Sequence, residues 1–246
     1  MKTLIRTLRS VATMTVAFFF FFGACPSNAQ NYAPQMETIV VNGGVTGYCS
    51  VRIEYQRIAN ATGNAAFEKI NLANRIDVIN ERAAETSDDI AIQDITAEML
   101  DFYYEDMYNL PFYNASQTAK IVRGGKYVVF STHTEVYMGG AHGMYADSHS
   151  VYNLSTGDKF DMGYLMCGDW GSRIKQHLYD RCCQQLGDSF MVESLSDMPQ
   201  PSSYELTDEG VVFVYFPYEI SPFCDGNVRV EYSDEELMGL GTPLCW

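Results

Sequence analysis

The hydrophobic period changes along this chain, and that change limits its fold more than any other feature. From 47 to 57 the residues alternate. Cys49, Val51, Ile53 and Tyr55 fall on one side, and Arg52, Glu54 and Gln56 on the other. A period of two describes a half-buried strand. From 64 to 85 the period lengthens. Phe67, Ile70, Ala73, Ile76 and Val78/Ile79 recur at helical spacing, which puts Glu68, Lys69, Arg75, Asp77 and Arg82 outside. A second helix is predicted over 94–108, striped by Ile95, Met99, Phe102, Tyr103 and Met107. Strand patterns then take over. A hairpin is predicted over 118–137 around Gly124-Gly125, a further strand over 144–154, and a second hairpin over 204–216. A helix opening near Asp169, a last strand over 228–232 and a short helix capped by Ser233 complete the pattern. Helices and strands interleave without a β-α-β rhythm. The expected class is therefore α+β: antiparallel sheets with helices packed on one face, in two small intertwined subdomains. The expected bounds are 46–160 and 161–246, after a flexible leader over 30–45.

The first 29 residues read as an export signal. Lys2, Arg6 and Arg9 precede an apolar run over 11–22, and small residues follow. Two processing routes remain open. Phe22-Gly23-Ala24-Cys25 is a loose lipobox, which would lipidate Cys25. Ser27-Asn28-Ala29 is an ordinary cleavage site, which would release a chain starting at Gln30. The apolar run is short of the ~20 residues that span a bilayer. Localisation is therefore expected outside the cytoplasm, in the periplasm or at the outer membrane, with membrane contact only through a lipid anchor.

Cys49, Cys167, Cys182, Cys183, Cys224 and Cys245 remain after the signal. An even number in an exported chain suggests disulfides. A helix over 169–185 would hold Cys167 ~20 Å from Cys182 and Cys183 at 1.5 Å per residue, too far for a bridge. No C-x-x-C pair supports a zinc-ribbon or thioredoxin reading, and no metal or other cofactor is expected. The whole chain carries −15. The three basic residues of the signal leave −18 on the remainder (−15 less 3). Such a field repels phosphate backbones, which disfavours nucleic acid, and attracts cationic partners.

Two short strings stand out. Tyr137-Met138-Gly139-Gly140-Ala141-His142-Gly143 is followed 74 residues later (143 to 217) by Pro217-Tyr218-Glu219-Ile220-Ser221-Pro222-Phe223. Between and around them lie the stretch 121–130 (Ile121-Val122-Arg123-Gly124-Gly125 and onward), Tyr152-Asn153-Leu154-Ser155-Thr156-Gly157-Asp158, and Gly210 to Phe216. In this order they resemble the extracytoplasmic domain family shared by the anti-sigma factor RsiV and the N-terminal part of the deacetylase PdaC. The resemblance runs from about 55 to 241. It implies a binding domain outside the membrane, with a protein such as lysozyme, or cell-wall glycan, as ligand. The expected chain is the extracytoplasmic module alone, without a sigma-binding segment or a deacetylase domain.

Candidate binding residues are Tyr137, Gly139, Gly140, His142, Tyr218 and Glu219. The glycines permit a bend where backbone can approach a ligand. His142 is expected to point inward and bond Glu219, either lining a polar pocket or pinning two hairpins together. An enzyme of cell-wall polysaccharide using Glu219 and His142 is the alternative. His133, His142 and His149 offer a weaker metal reading at spacings of 9 and 7. No G-x-S-x-G elbow is present. The aromatic run 102–113 is expected to be core.

Overall fold

The computed structural model describes residues 15–16, 34–105 and 108–246. The export signal and Cys25 lie outside them, apart from Thr15–Val16. The α+β class holds. A six-stranded sheet has the order β1 (Thr15–Val16), β2 (Met36–Val45), β3 (Cys49–Ile58), β4 (Phe112–Val122), β5 (Tyr127–Tyr137) and β6 (Met144–Asn153). Helices α1 (Ala65–Val78) and α2 (Asp88–Asp101) lie between β3 and β4 in sequence. Helix α3 (Gly168–Leu186) precedes an antiparallel three-stranded sheet of β7 (Ser203–Leu206), β8 (Gly210–Tyr215) and β9 (Val228–Ser233), and α4 (Asp234–Gly239) follows.

The chain forms two compact units, each from two stretches. One comprises residues up to Thr118 and Thr132–Tyr145, the other Ala119–Ser131 and Ala146–Trp246. The boundaries fall within β4, β5 and β6 rather than at a single point after 160.

The first unit corrects three expectations. The segment 36–45 is not a flexible leader but strand β2, paired antiparallel with β3 from Met36↔Ile58 to Val45↔Cys49. Its Gly43-Gly44 pair serves packing rather than looseness. A Cβ on Gly43 would meet the Thr96 hydroxyl at 3.0 Å and Ile92 at 3.3 Å, so glycine lets α2 lie close against the strand. Thr96 Oγ1 in turn accepts a bond from the Gly44 N–H at 3.1 Å. Second, β3 and β4 pair in parallel, Val51 opposite Tyr113 and Ile53 opposite Ala115. A parallel pair needs a long crossover, and the two helices supply it. One β-α-β connection therefore exists where none was expected. Third, α2 runs from Asp88 to Asp101, not over 94–108. Of the aromatic run beyond it, Phe102, Tyr104 and Tyr108 are exposed, Tyr104 56% and Tyr108 98% accessible, whereas Tyr113 packs against the core as expected.

The core face of β3 is the expected one: Cys49, Val51, Ile53 and Tyr55 are all buried. They pack with Ile39 and Val41 of β2 and with Ile92, Ile95 and Met99 of α2. Helix α1 presents Ile70, Asn74 and Val78 inward. Asn74 is 1% exposed and Gln117 of β4 is 4% exposed. Their amides bond each other reciprocally at 2.9 and 3.0 Å. Asn74 also donates to the Gln56 carbonyl at 2.8 Å, and Gln117 Oε1 accepts from the Gln56 N–H at 3.0 Å. Gln117 Nε2 donates onward to the Thr132 hydroxyl at 2.9 Å. A burial this complete is tolerable because each amide atom has a partner.

The second unit has its own core. Ile174, Leu178 and Cys182 of α3 lie against Phe213 and Tyr215 of β8 and Val230 and Tyr232 of β9. The N-cap of α3 is Cys167, and Asp169 sits in the first turn instead of capping it. Ser233 does cap α4, in a reciprocal capping box with Glu236. Arg123, in the β4–β5 turn, anchors this unit. It forms an ion pair with Asp234, donates to the Gly210 carbonyl at 3.1 Å, and lies 5.2 Å over the Trp246 ring.

All six cysteines of the described residues stand as free thiols in this structure. Cys49 and Cys182 are buried, and burial pushes both thiols up, Cys182 to about 12. They act as small apolar core residues.

Candidate functional site

The residues singled out by sequence divide between the two units. Tyr137, Gly139, Gly140 and His142 belong to the first, Tyr218 and Glu219 to the second.

In the first, Gly139 and Gly140 take φ of 100° and 92°, which favours glycine strongly. A Cβ on Gly143 would meet the Val136 carbonyl at 2.8 Å. The Tyr137 hydroxyl closes the bend by donating to the Gly140 carbonyl at 3.0 Å, and its ring stacks on Phe112 at 6.0 Å. His142 is exposed, not inward, and its Nδ1 bonds the Gly143 carbonyl at 2.8 Å. That geometry makes Nδ1 the donor.

In the second, Tyr218 is the exposed apex of a turn, with φ of 73° and 49% of its surface accessible. A non-glycine residue there costs roughly 1–2 kcal/mol. The turn is held by the Tyr218 N–H bond to the Ser221 carbonyl at 3.1 Å and by stacking on Phe223 at 5.6 Å. Glu219 secures it further. Its Oε2 accepts from the Phe216 N–H at 2.7 Å and its Oε1 from the Ser202 hydroxyl. Both carboxylate oxygens are thus engaged within their own hairpin. The expectation of an inward His142 ring is corrected, since the ring is exposed. Because His142 is exposed, His142→Ala is expected to change stability by no more than about 0.5 kcal/mol. Denaturant titration checks this.

Sequence reasoning missed a cleft of about 940 Å³ in the first unit, lined by Tyr55, Arg57, Glu37, Arg75 and Asp88 among others. Arg75, expected outside, is only 23% exposed at its side chain. It pairs with Asp88 and donates to the Ala83 and Thr86 carbonyls, both at 2.5 Å. The Tyr55 hydroxyl donates to the other Asp88 oxygen at 3.0 Å. Burial, then the Asp88 charge, pushes that hydroxyl far above its ordinary value, so it keeps its proton at neutral pH. Arg57 pairs with Glu37 across β2 and β3. Each arginine of this cleft is paired with one carboxylate, which suits holding a shape more than moving a proton, while Glu68 and Asp89 leave the lining acidic. No spacing rule marks Asp88 and Arg75 as partners, so their pairing has no local signal.

His149, considered only for metal, lies in a polar cluster of the second unit. Its backbone N–H donates to Ser203 Oγ at 2.8 Å, and its Nδ1 lies 3.0 Å from the same oxygen. Nε2 is 3.6 Å from Glu205, which pairs with Arg229. Serine, histidine and glutamate thus meet, but Ser203 is 4% exposed and the His149 side chain also 4%. No substrate reaches a hydroxyl so enclosed. Burial holds the imidazole below its ordinary 6.5. The Glu205 charge acts upward, Arg229 downward and Asp147 upward, and burial prevails. The folded state therefore carries the neutral ring, while the unfolded chain binds a proton near pH 6.5. Stability from this group is complete above that pH and is lost as the pH falls below it. His149→Asn is expected to flatten the decline between pH 7.5 and 5.5, as read from denaturation midpoints.

His177 packs on β9, with Nδ1 3.1 Å from the Tyr232 hydroxyl. Among the described residues no helix is long and apolar enough to cross a membrane.

The architecture thus defined is an α+β protein of two cores with exposed loop sites. No family model matches the sequence, and no curated protein is similar to it. Its fold does match solved structures. A member of the DUF3298 family from Bacteroides fragilis superposes with a TM-score of 0.65 at 17% identity, over 84% of this chain and 92% of the other. A DUF3298 family protein from Pseudomonas aeruginosa gives 0.58 at 14% identity, over 85% and 94%. At these identities the likeness is one of fold.

Proposed function

We propose that this chain is an exported, non-catalytic binding module of the bacterial cell envelope, whose ligand is a cationic protein. It is periplasmic, or tethered through Cys25. The observation that supports this most is the charge of the helical layer in the first unit. From Ala65 to Asp101 there are nine carboxylates against three basic side chains. Two of those three, Arg75 and Arg82, are already paired with Asp88 and Asp94. The face that remains is acidic and fits the resemblance to RsiV, whose ligand is a basic protein. A glycan ligand has support from the exposed Tyr104 and Tyr108. The alternative of an enzyme using Glu219 and His142 has less, since both Glu219 oxygens hold a turn together.

The test is association kinetics between the mature protein and egg-white lysozyme as a basic probe. The association rate is expected to fall about tenfold or more between low and high salt, because exposed charges are screened beyond ~8 Å at physiological ionic strength. Absence of binding, or a rate indifferent to salt, contradicts the proposal.

A further inference from the structure

A second cavity, of about 520 Å³, lies in the first unit beside the Tyr137–Gly143 bend. We propose that it receives a basic side chain, lysine or arginine, of the protein partner. The proposal rests on the reading above for the identity of the partner, and on the cavity itself for the chemistry.

The inner walls are apolar. Ile79 and Ile95 are buried, and Val136 and Met138 continue from β5 into the bend. Tyr113 closes one side with its hydroxyl bonded to Thr134. The polar lining is Asn80, Glu81, Arg82, Asp94 and Glu98. Arg82 is paired with Asp94, so its charge is spent. Glu98 is exposed and close enough to Tyr113 that its charge acts upward on that hydroxyl, after the larger effect of burial.

Three classes of ligand can be compared. A phosphate or carboxylate would meet Glu81 and Glu98 and be repelled. A wholly apolar group would bury the walls but strip water from Glu98 with no compensating partner. A side chain with an apolar stem and a cationic tip satisfies both surfaces. The stem covers the aliphatic walls and the tip stays near the carboxylates and water, as lysine and arginine do elsewhere. A planar guanidinium adds stacking on Tyr113. The cavity is within the range of about 300–1,000 Å³ usual for ligand sites, so a basic side chain and part of its neighbour both fit. Met138 joins this cavity to the Gly139-Gly140 bend, which gives that string a role that exposed His142 alone does not.

The test uses a small probe and a large one. N-acetyl-arginine amide is titrated against the intact mature protein by NMR, with N-acetyl-citrulline amide as the neutral isostere. Saturable shifts at Val136 and Met138 are expected with the arginine compound, and affinity for the citrulline compound at least about tenfold weaker, the scale of one desolvated charge contact. Glu98→Gln removes charge at an exposed position without disturbing the core, and should weaken the arginine probe about fivefold or more. Val136→Trp should abolish its binding by filling the space. Equal affinity for both probes, or no effect of either substitution, overturns the proposal. Lysozyme separates the two readings. If it binds the parent and both variants equally, the cavity assignment fails and the binding module stands. If the arginine probe behaves as expected while no basic protein binds, the cavity assignment stands and the proposed function fails.

Discussion

Asn74→Leu is expected to destabilise the protein by about 3 kcal/mol or more, with a fall in Tm of several degrees. The substitution fits the volume roughly and raises helix propensity, so a surface view of α1 predicts little change. The amide network decides otherwise. Without Asn74, the Gln56 carbonyl loses a donor and Gln117 Nε2 keeps only the Thr132 hydroxyl. Gln117 Oε1 keeps only the Gln56 N–H. An orphaned buried polar group costs roughly 1–3 kcal/mol. The pair should be strongly non-additive. Asn74→Leu with Gln117→Leu removes both amides together, and the double variant should lose markedly less than the sum of the singles. Additive losses would show that the two amides do not act as a unit.

Gly210→Ala is expected to cost at least about 3 kcal/mol, an overpacking effect at the upper end of its usual range. The glycine opens β8 directly opposite Ser233. A Cβ there would lie 1.8 Å from the Tyr232 carbonyl oxygen and 2.8 Å from the Ser233 Cα. Neither is a side-chain end that can swing aside, so β8 and β9 must separate. The same carbonyl of Gly210 accepts from Arg123 and from the Thr207 N–H. The strain would therefore spread to the β4–β5 turn. Equilibrium denaturation reads the loss, and a melting temperature equal to the parent's would refute this account of the glycine.

Much of the fold was legible because period is a local property. The alternation in β3 and the hairpins around Gly124-Gly125 and 207–210 declare themselves within a dozen residues. What failed was set by distant partners. Gly43-Gly44 looked like a loop because the helix lying on it comes 50 residues later. The parallel pairing of β3 with β4 leaves no mark on either strand. Phe102, Tyr104 and Tyr108 looked like core because a helix was expected to run on to 108, but it ends at Asp101. Arg75 read as surface because charged residues usually are, whereas here Asp88 and the Ala83 and Thr86 carbonyls satisfy it. The string with Gly139 and Gly140 was correctly placed at a bend. The inward direction of His142 was not legible, because the ring is exposed and bonds the neighbouring Gly143 carbonyl.

Charge reversal tests the central claim most directly. Mature protein is titrated calorimetrically with native egg-white lysozyme and with lysozyme whose lysines have been succinylated, at equal ionic strength. A module that recognises a cationic protein through the acidic helical layer should bind the native form and lose detectable binding to the succinylated one. Equal affinity for both, or no heat with either, would contradict the account.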